Sequence, residues 1–176
     1  MSEPIGISGS PGSGKTTVAR ILSDRIGIRF HSMGSVFRSI ADEKKLSLKE
    51  LSALAESDSS IDRLIDRKQS EMLRAGDIIM DSRLSCWLMK RNNINGLKVW
   101  ITAPLDVRAK RVAGREGIGM AEARESIKAR EESEADRYRK YYGIDMRDLS
   151  IYDIVINNAW MSPEDCCDVI LAVMGT

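Results

Sequence analysis

The sequence predicts an α/β domain in which a five-stranded parallel sheet is flanked by helices in a three-layer arrangement. Short apolar runs alternate with longer amphipathic stretches along the chain, which is typical of strands joined by helical crossovers. A glycine-rich turn joins the first apolar run to the first helical stretch, and no repeat or Pro/Gly/Ser linker divides the sequence. The 176 residues are therefore expected to form a single domain, 1–176.

The strands and the first helices are assigned in chain order from these patterns. The apolar runs predict strands at 5–8, 28–31, 78–80, 97–101 and 153–156. A helix should run over about 15–26, where Gly27 is a natural stop. The stretch 32–76 should be wholly helical, because Ser47 and Glu50 form a capping box and apolar residues recur at helical spacing.

Further helices are predicted in the second half of the chain. They lie near 85–91, after Pro104, over about 121–142 and after Ser162. Proline suits the start of a helix because the N–H that it lacks has no partner there, and Ser162 can cap the last helix. In an open parallel sheet, ligands bind where the carboxyl ends of the strands meet helix N-termini, so the site is expected at that edge.

The composition excludes several classes of protein. Lys and Arg number 27 against 26 Asp and Glu, and a net charge of +1 is unlike the basic excess of a nucleic-acid or membrane-surface binder. The sequence shows no signal-peptide pattern and no apolar run long enough to cross a bilayer. Cys86, Cys166 and Cys167 do not make a disulfide framework, so we interpret them as reduced thiols of a cytoplasmic protein.

One segment fits the phosphate-binding pattern G-x-x-x-x-G-K-[ST] at every fixed position. It consists of Gly9, Ser10, Pro11, Gly12, Ser13, Gly14, Lys15 and Thr16. The glycines let the backbone curl around phosphate oxygens, and the helix that begins at Lys15 adds its positive N-terminal dipole. Lys15 then places a charge on the β and γ phosphates, and the Thr16 hydroxyl ligates Mg²⁺. The segment predicts a P-loop NTPase-type fold that binds ATP with Mg²⁺.

Asp81 and Arg83 stand at the end of the third predicted strand. A carboxylate there can hold the water ligands of Mg²⁺, and an arginine there can grip a phosphate-bearing acceptor. A strand-end carboxylate paired with a local arginine is the alternative. His31, the only histidine, is interpreted as a polar residue at the end of the second strand. A phosphate monoester acceptor is already an anionic nucleophile, so the chemistry does not require a histidine base.

Two rows of charged residues are expected on helix faces. One is Arg108, Arg111 and Arg115 at i, i+3 and i+7, and the other is Arg130, Glu134 and Arg137 at i, i+4 and i+7. Guanidinium groups bind phosphate oxygens in bidentate fashion, so the rows suit the stabilisation of charge during phosphoryl transfer. A hinge at Gly117 and Gly119 would let them close as a lid that excludes water. For any single arginine, a solvated charged face is the alternative.

Taken together, these segments resemble the archaeal-type cytidylate kinases along essentially the whole chain. The resemblance rests on Gly9 to Thr17, Gly34 to Arg38, Asp81 to Leu84 with Trp87, and Arg130 to Tyr138. The runs 142–145 and 151–153 also match the C-terminal part of that family. The P-loop alone is shared by many families, whereas the whole set is much more specific.

The resemblance implies transfer of a phosphoryl group from ATP to CMP or dCMP with Mg²⁺. It implies that Thr17 extends the ATP-binding segment and that Asp81 binds the water ligands of Mg²⁺. The implied acceptor-binding residues are Arg38, Arg83, Glu134 and Arg137, and the implied catalytic residues are Lys15, Arg111, Arg115 and Arg130. Residues 32–76 would be a mobile acceptor-binding insertion, and 114–122 a short lid.

One departure from the family pattern and two alternative functions accompany this interpretation. Ser82 replaces a glycine that the family usually has, and its side chain would narrow the approach to the acceptor phosphate. The same architecture could take AMP, UMP or an alcohol such as shikimate, with Asp81 as a general base for the alcohol. A nucleotide-dependent switch or ATPase with a protein or RNA partner is the third hypothesis. We expect a monomer, because both flaps must move freely.

Overall fold

The computed structural model describes residues 2–57 and 59–175, and a sheet of five parallel strands forms its centre. In chain order the strands are β1 (Ile5–Gly9), β2 (Arg29–Ser32), β3 (Ile78–Asp81), β4 (Leu97–Thr102) and β5 (Ile154–Asn157). Their order across the sheet is β2-β3-β1-β4-β5. In register, Ile5 on the central strand lies opposite Ile79 on one side and Leu97 on the other. The α/β fold predicted from the sequence is confirmed.

Eight helices lie within the described part of the chain. They are α1 (Lys15–Ile26), α2 (Met33–Glu43), α3 (Leu48–Ser57), α4 (Ser59–Ala75), α5 (Ser85–Arg91), α6 (Leu105–Glu116), α7 (Met120–Tyr142) and α8 (Pro163–Met174). None of these helices is long and apolar enough to cross a membrane.

Two apolar clusters cover the two faces of the sheet. The first packs α1 and α8 against the central strands, with Leu22 among its fully buried members. The second packs α4, α5 and the end of α7 against the β3 side of the sheet, with Leu73 at its centre. Ile79 belongs to the first cluster and its neighbours Ile78 and Met80 to the second, because successive strand residues point to opposite faces. The sheet is therefore covered on both sides at β3, whereas the edge strand β5 exposes Val155.

Local sequence signals placed most element boundaries correctly. Gly27 ends α1 in the left-handed conformation with φ 70°. The predicted capping box is present: the Ser47 N–H donates to Glu50 Oε2 at 2.7 Å, and the Glu50 N–H donates to Ser47 Oγ at 3.1 Å. β5 begins one residue later than predicted, and Asp153 just before it accepts hydrogen bonds on its carboxylate from the N–H and Nζ of Lys98, both at 2.8 Å.

The segment between β2 and β3 is helical, as the sequence predicts, and consists of α2, α3 and α4. In the second half of the chain, α6 ends at Gly117 with φ 69° and α7 begins after Gly119. A third apolar cluster, which includes Ala109 and Ile127, packs α6 against α7. The assignments of 32–76 as an acceptor-binding insertion and of 114–122 as a lid stay predictions.

Candidate active site

The loop between β1 and α1 has a shape that only glycine permits at two of its positions. A Cβ on Gly9 would lie 2.0 Å from the backbone oxygen of Ile101 on β4. Gly12 has φ 76°, and a Cβ there would lie 2.9 Å from the Arg108 carbonyl oxygen. The loop is thus pressed against β4 and α6, and α1 begins directly after it at Lys15. Its position places the N-terminal end of the α1 dipole at the loop.

Arg108 fixes the outer side of this loop. Its Nη1 donates to the Pro11 carbonyl at 3.1 Å and to Glu131 Oε1 at 2.8 Å, and its Nε donates to the Ala103 carbonyl at 2.8 Å. The side chain is buried, with 10% exposed. The helical spacing predicted that Arg108 lies in a row with Arg111 and Arg115 on a closing lid. Its guanidinium instead donates a hydrogen bond to the Pro11 carbonyl of the loop.

Arg111 and Asn158 brace the inner side of the loop. Arg111 Nη1 donates to the Ser13 carbonyl and to Asn158 Oδ1, both at 3.0 Å, and Asn158 Nδ2 donates to the same Ser13 carbonyl at 2.8 Å. Asn158 is buried and was missed by the sequence analysis. The signal that could have found it is its place directly after the last strand, at the edge where ligands bind.

A cleft of about 290 Å³ opens beside the loop, and Gly12, Gly14, Thr17, Arg111 and Arg115 are among its lining residues. Of these, Arg115 has a side chain that is 58% exposed and pairs with Glu116 at 2.6 Å. Two of the predicted catalytic arginines therefore lie beside the predicted phosphate-binding loop: Arg111, which donates a hydrogen bond to the loop, and Arg115, which is exposed to solvent.

Lys15, Thr16 and Asp81 meet at the carboxyl ends of β1 and β3. Thr16 Oγ1 donates to Asp81 Oδ2 at 2.5 Å, Ser32 Oγ donates to the same oxygen at 2.9 Å, and Lys15 Nζ lies 3.9 Å from Asp81 Oδ1. Burial and, to a smaller extent, the positive charge of Arg83 lower the pKa of Lys15 to about 7. The negative charge of Asp81 acts in the opposite direction and offsets only part of this shift. A phosphate group beside Lys15 would favour the charged form of its amine and so raise this pKa.

A second and larger cavity of about 700 Å³ lies next to this group, between α2, α4, the β3–α5 loop and α7. Its charged lining includes Asp62, Arg83, Arg130, Glu134 and Arg137. Glu134 is the centre of the set, because its carboxylate lies 2.6 Å from Arg83 Nε and 3.2 Å from Arg130 Nε. Arg137 Nη1 lies 3.5 Å from Asp62 Oδ2. Four of the predicted site residues, from two distant parts of the sequence, thus line one cavity.

Three arginines of this cavity, Arg83, Arg130 and Arg137, offer hydrogen-bond donors to an anion, within a lining that also carries six carboxyl groups. Burial alone would raise the pKa of Glu134, but Arg83 and Arg130 hold that pKa below its usual value, so the carboxylate stays charged. Arg83 Nη1 and Arg137 Nη1 and Nε are buried and, within the described part of the chain, make no hydrogen bond. Unpaired guanidinium N–H groups in a buried site are costly, and a phosphate would satisfy them.

Comparison with known proteins gives the family. The sequence profile of the cytidylate kinase-like family matches residues 4–159 of the chain. The chain belongs to the cytidylate kinase-like family. The cytidylate kinase of Sulfolobus acidocaldarius is 43% identical over 170 residues, which cover 96% of this chain and 92% of that protein. The cytidylate kinase of Ignicoccus hospitalis is 46% identical over 164 residues, which cover 93% and 94%.

Solved structures that resemble this member of the cytidylate kinase-like family support its fold. A shikimate kinase from Bacteroides thetaiotaomicron superposes with a TM-score of 0.64 at 15% identity, covering 98% of both chains. An uncharacterized protein from Eubacterium ventriosum gives a TM-score of 0.70 at 20% identity, also covering 98% of both. At these identities the likeness concerns the fold alone.

Ser82 and Arg38, which belong to the segments that carry the family resemblance, lie where their predicted effects on the acceptor are not evident. Ser82, in place of the usual glycine, is buried and lines the larger cavity, but its Oγ accepts a hydrogen bond from the Leu84 N–H at 3.1 Å. Its hydroxyl therefore serves the turn after β3. Arg38 is exposed on α2, with its guanidinium beside Gly34, which lines the cavity. Its role in acceptor binding stays a prediction.

Proposed function

We propose that this chain is a cytidylate kinase, which transfers the γ-phosphoryl group of ATP to CMP or dCMP and releases ADP. The observation that carries the proposal is the pair of adjoining sites: a P-loop braced by two arginines, and an arginine-lined cavity beside it. The membership in the cytidylate kinase-like family supports the identity of the acceptor. Two phosphate sites that meet at Lys15 and Asp81 are what a transfer between nucleotides requires.

The donor side would hold the ATP phosphates on backbone N–H groups of residues 9–17 and on the Lys15 ammonium. Arg111 approaches this loop from α6 and is already oriented by Asn158 at 3.0 Å, so its remaining N–H groups need little reordering to meet a phosphate. Arg115 is exposed and could fold over the cleft from the same helix. Both residues would stabilise charge that develops on the transferred group.

The residues near Lys15 fit Mg²⁺. This ion takes oxygen ligands and binds through one or two protein groups, with waters and substrate phosphates completing the shell. Thr16 Oγ1 and the Asp81 carboxylate offer such oxygens 2.5 Å apart, and would hold the ion directly or through its waters. When bound, Mg²⁺ would neutralise negative charge on the phosphates.

The acceptor side would hold the monophosphate on Arg83, Arg130 and Arg137. Glu134 orients two of these guanidinium groups, so they are preorganised before the acceptor arrives. The acceptor phosphate is itself the nucleophile, and its alignment with the γ-phosphorus is the main task of the site. Asp81 accepts hydrogen bonds from Thr16 and Ser32, and this engagement argues against its use as the general base that an alcohol acceptor would need.

We propose that a monomer carries out the reaction, because the two segments assigned as acceptor-binding insertion and lid must move freely. Cys86, Cys166 and Cys167 are free thiols, which suits a reducing cytoplasm. Closure of 114–122 over the phosphates would exclude water, which otherwise competes as an acceptor.

The proposal is tested by incubating the protein with ATP, Mg²⁺ and each of CMP, dCMP, UMP, AMP, GMP and shikimate while ADP release is followed. We expect fast release with CMP or dCMP and a low rate without an acceptor. The matched variant Lys15→Met should lose the activity yet remain folded by circular dichroism. A high rate that no acceptor changes would instead identify an ATPase, and a response to shikimate alone would refute the nucleotide acceptor.

A further inference from the structure

Three polar residues of α4 form a stripe along the floor of the acceptor cavity, which is the cavity of about 700 Å³ that Arg83, Arg130 and Arg137 line. Asp62, Asp66 and Gln69 follow one another at i, i+4 and i+7, and all three line the cavity. Their exposed fractions are only 7%, 8% and 2%. Asp62 pairs with Arg137 and therefore marks the phosphate end of the stripe. Gln69 lies about 10 Å further along the helix axis at 1.5 Å per residue, a distance suited to the base of a nucleotide.

The Gln69 amide is held in one orientation. Its Nε2 donates to Asp66 Oδ1 at 3.2 Å, and the Tyr142 hydroxyl donates to Asp66 Oδ2 from the opposite side. Gln69 Oε1 is buried, and within residues 2–57 and 59–175 it has no hydrogen-bond partner. A buried amide oxygen without a donor is costly, and such groups are normally satisfied by protein, water or a ligand. Gln69 thus lines the cavity and carries one unsatisfied acceptor that lies just beneath its surface.

Apolar side chains that suit the faces of an aromatic base line the same cavity. Phe37, Ile65 and Leu84 line the same cavity, from α2, α4 and the β3–α5 loop. A site of this kind takes an aromatic base between apolar side chains and uses a few polar groups to fix its identity. The phosphate would lie at the arginines, and the edge of the base would reach the far end of the stripe.

We propose that Gln69 determines the specificity for cytosine: its Oε1 accepts a hydrogen bond from the exocyclic amino group at position 4 of the base, and Asp66 is the residue that positions it. The inference rests on the proposed function, since it concerns the acceptor of that same reaction. Uracil carries an oxygen at position 4, which would face the Gln69 oxygen without a proton between them.

Asp66 is needed because a glutamine alone does not discriminate. An amide that rotates by a half turn offers its NH₂ group in place of its oxygen, and would then accept uracil. Rotation of Gln69 would bring its oxygen against the Asp66 carboxylate. While it is ionised, that carboxylate has no proton to donate and can only accept hydrogen bonds. Burial raises the pKa of Asp66 to about 6, although the hydrogen bond from Tyr142 lowers it. Because this pKa is still below 7, the carboxyl is mostly ionised at neutral pH. The fixed carboxylate therefore keeps the acceptor facing the base.

The first test is Asp66→Asn, which has nearly the same shape. The amide that this substitution introduces can donate to Gln69 Oε1, and this lets the glutamine turn and present its NH₂ group to the base. The ratio of kcat/KM for CMP to that for UMP should fall by about ten- to a hundredfold, with a gain for UMP and an unchanged KM for ATP. The matched control is Glu71→Gln, the same acid-to-amide change at an exposed position of α4, which should leave the ratio as it is in the wild type.

The second test leaves the protein intact and changes the ligand. The pyrimidin-2-one ribonucleoside monophosphate has CMP's ring and ribose but lacks the 4-amino group. Calorimetric titration without ATP should show that the wild type binds it about ten- to a hundredfold more weakly than CMP. In Gln69→Met, which keeps the length of the side chain and removes the amide, the two ligands should bind equally. This comparison isolates the contact even if a variant is less stable.

The outcomes separate the two proposals. If the wild type does not phosphorylate CMP or dCMP at all, the proposed function fails. If it phosphorylates CMP but binds the analogue equally well, or if Asp66→Asn keeps the wild-type ratio of CMP to UMP, the kinase assignment stands and the role of Gln69 is refuted. A wild type that uses UMP as well as CMP would refute it too.

Discussion

The stability of this protein should carry a pH dependence to which the buried carboxyl of Asp66 contributes. Asp66 is only 8% exposed, and burial raises its pKa from 3.8 to about 6. The groups that face it are Tyr142 and Arg137 from α7 and Asp62 and Gln69 from its own helix, and the Tyr142 hydrogen bond and the Arg137 charge offset only part of the burial. The folded state therefore binds a proton more tightly than the unfolded chain does.

The sign and size follow from this difference. A carboxyl whose pKa is raised on folding stabilises the fold below about pH 4, and this contribution is lost as the pH rises towards 6. A difference of about two pKa units at ~1.4 kcal/mol each corresponds to about 2–3 kcal/mol. Asp66→Asn removes the titration and keeps the shape, so the stability of the variant relative to the wild type should increase by this amount between about pH 4 and pH 7.

Urea unfolding followed by circular dichroism at several pH values measures this directly. The quantity of interest is the free energy of unfolding of Asp66→Asn minus that of the wild type, because contributions of titrating groups that do not interact with Asp66 cancel in the difference. Equal m values in the two proteins would show that the same surface is exposed. A difference that is flat across the range, or that shrinks as the pH rises, would show that Asp66 is not held at a raised pKa.

Three further predictions concern the braces of the P-loop. Gly9→Ala should destabilise the protein by about 3 kcal/mol or more, because its Cβ would lie 2.0 Å from the Ile101 carbonyl oxygen. Thermal unfolding should show this as a fall in Tm on the order of 10 °C. An unchanged Tm would contradict this contact. Asn158→Ala should raise the KM for ATP about tenfold while the KM for CMP stays constant, since the brace serves only the donor side. Glu131→Gln should cost only about 0.5–1 kcal/mol in urea unfolding, because Arg108 keeps its two bonds to carbonyl oxygens; a loss above ~2 kcal/mol would show that the pair itself holds the loop.

The fold could be predicted from the sequence because its signals are local. Glycine after Ile26 and after Tyr142 ends a helix in the left-handed conformation, and Ser162 forms a capping box with Asp165. Such signals depend on backbone geometry within a few residues, so they can be recognised without knowledge of the tertiary fold. The P-loop could be found for the same reason, because all of its phosphate-binding groups come from one short segment.

The division of work among the charged residues could not be predicted, because helix spacing does not say which partner lies opposite. Arg108 and Arg111 are three residues apart and were assigned to the same row, yet Arg108 is buried against Pro11 and Glu131. The same limit applies to Gln69, whose neighbour Asp66 is visible in the sequence while that carboxylate's partner Tyr142 comes from the end of α7. Long-range pairs of this kind depend on how α4 and α7 pack, which periodicity leaves undetermined.

The charge balance of the acceptor cavity explains how two buried arginines, Arg83 and Arg137, can lie close to the more exposed Arg130. Isolated, they would repel one another and lose their hydration, which is costly in a site of low dielectric constant. Glu134 takes up this charge by pairing with Arg83 and Arg130, and Asp62 does the same for Arg137. Each acid engages only part of its guanidinium partner, so buried N–H groups stay without partners within the described chain. The acids thus stabilise and orient the arginines, and we expect an acceptor phosphate to bind to the N–H groups that remain.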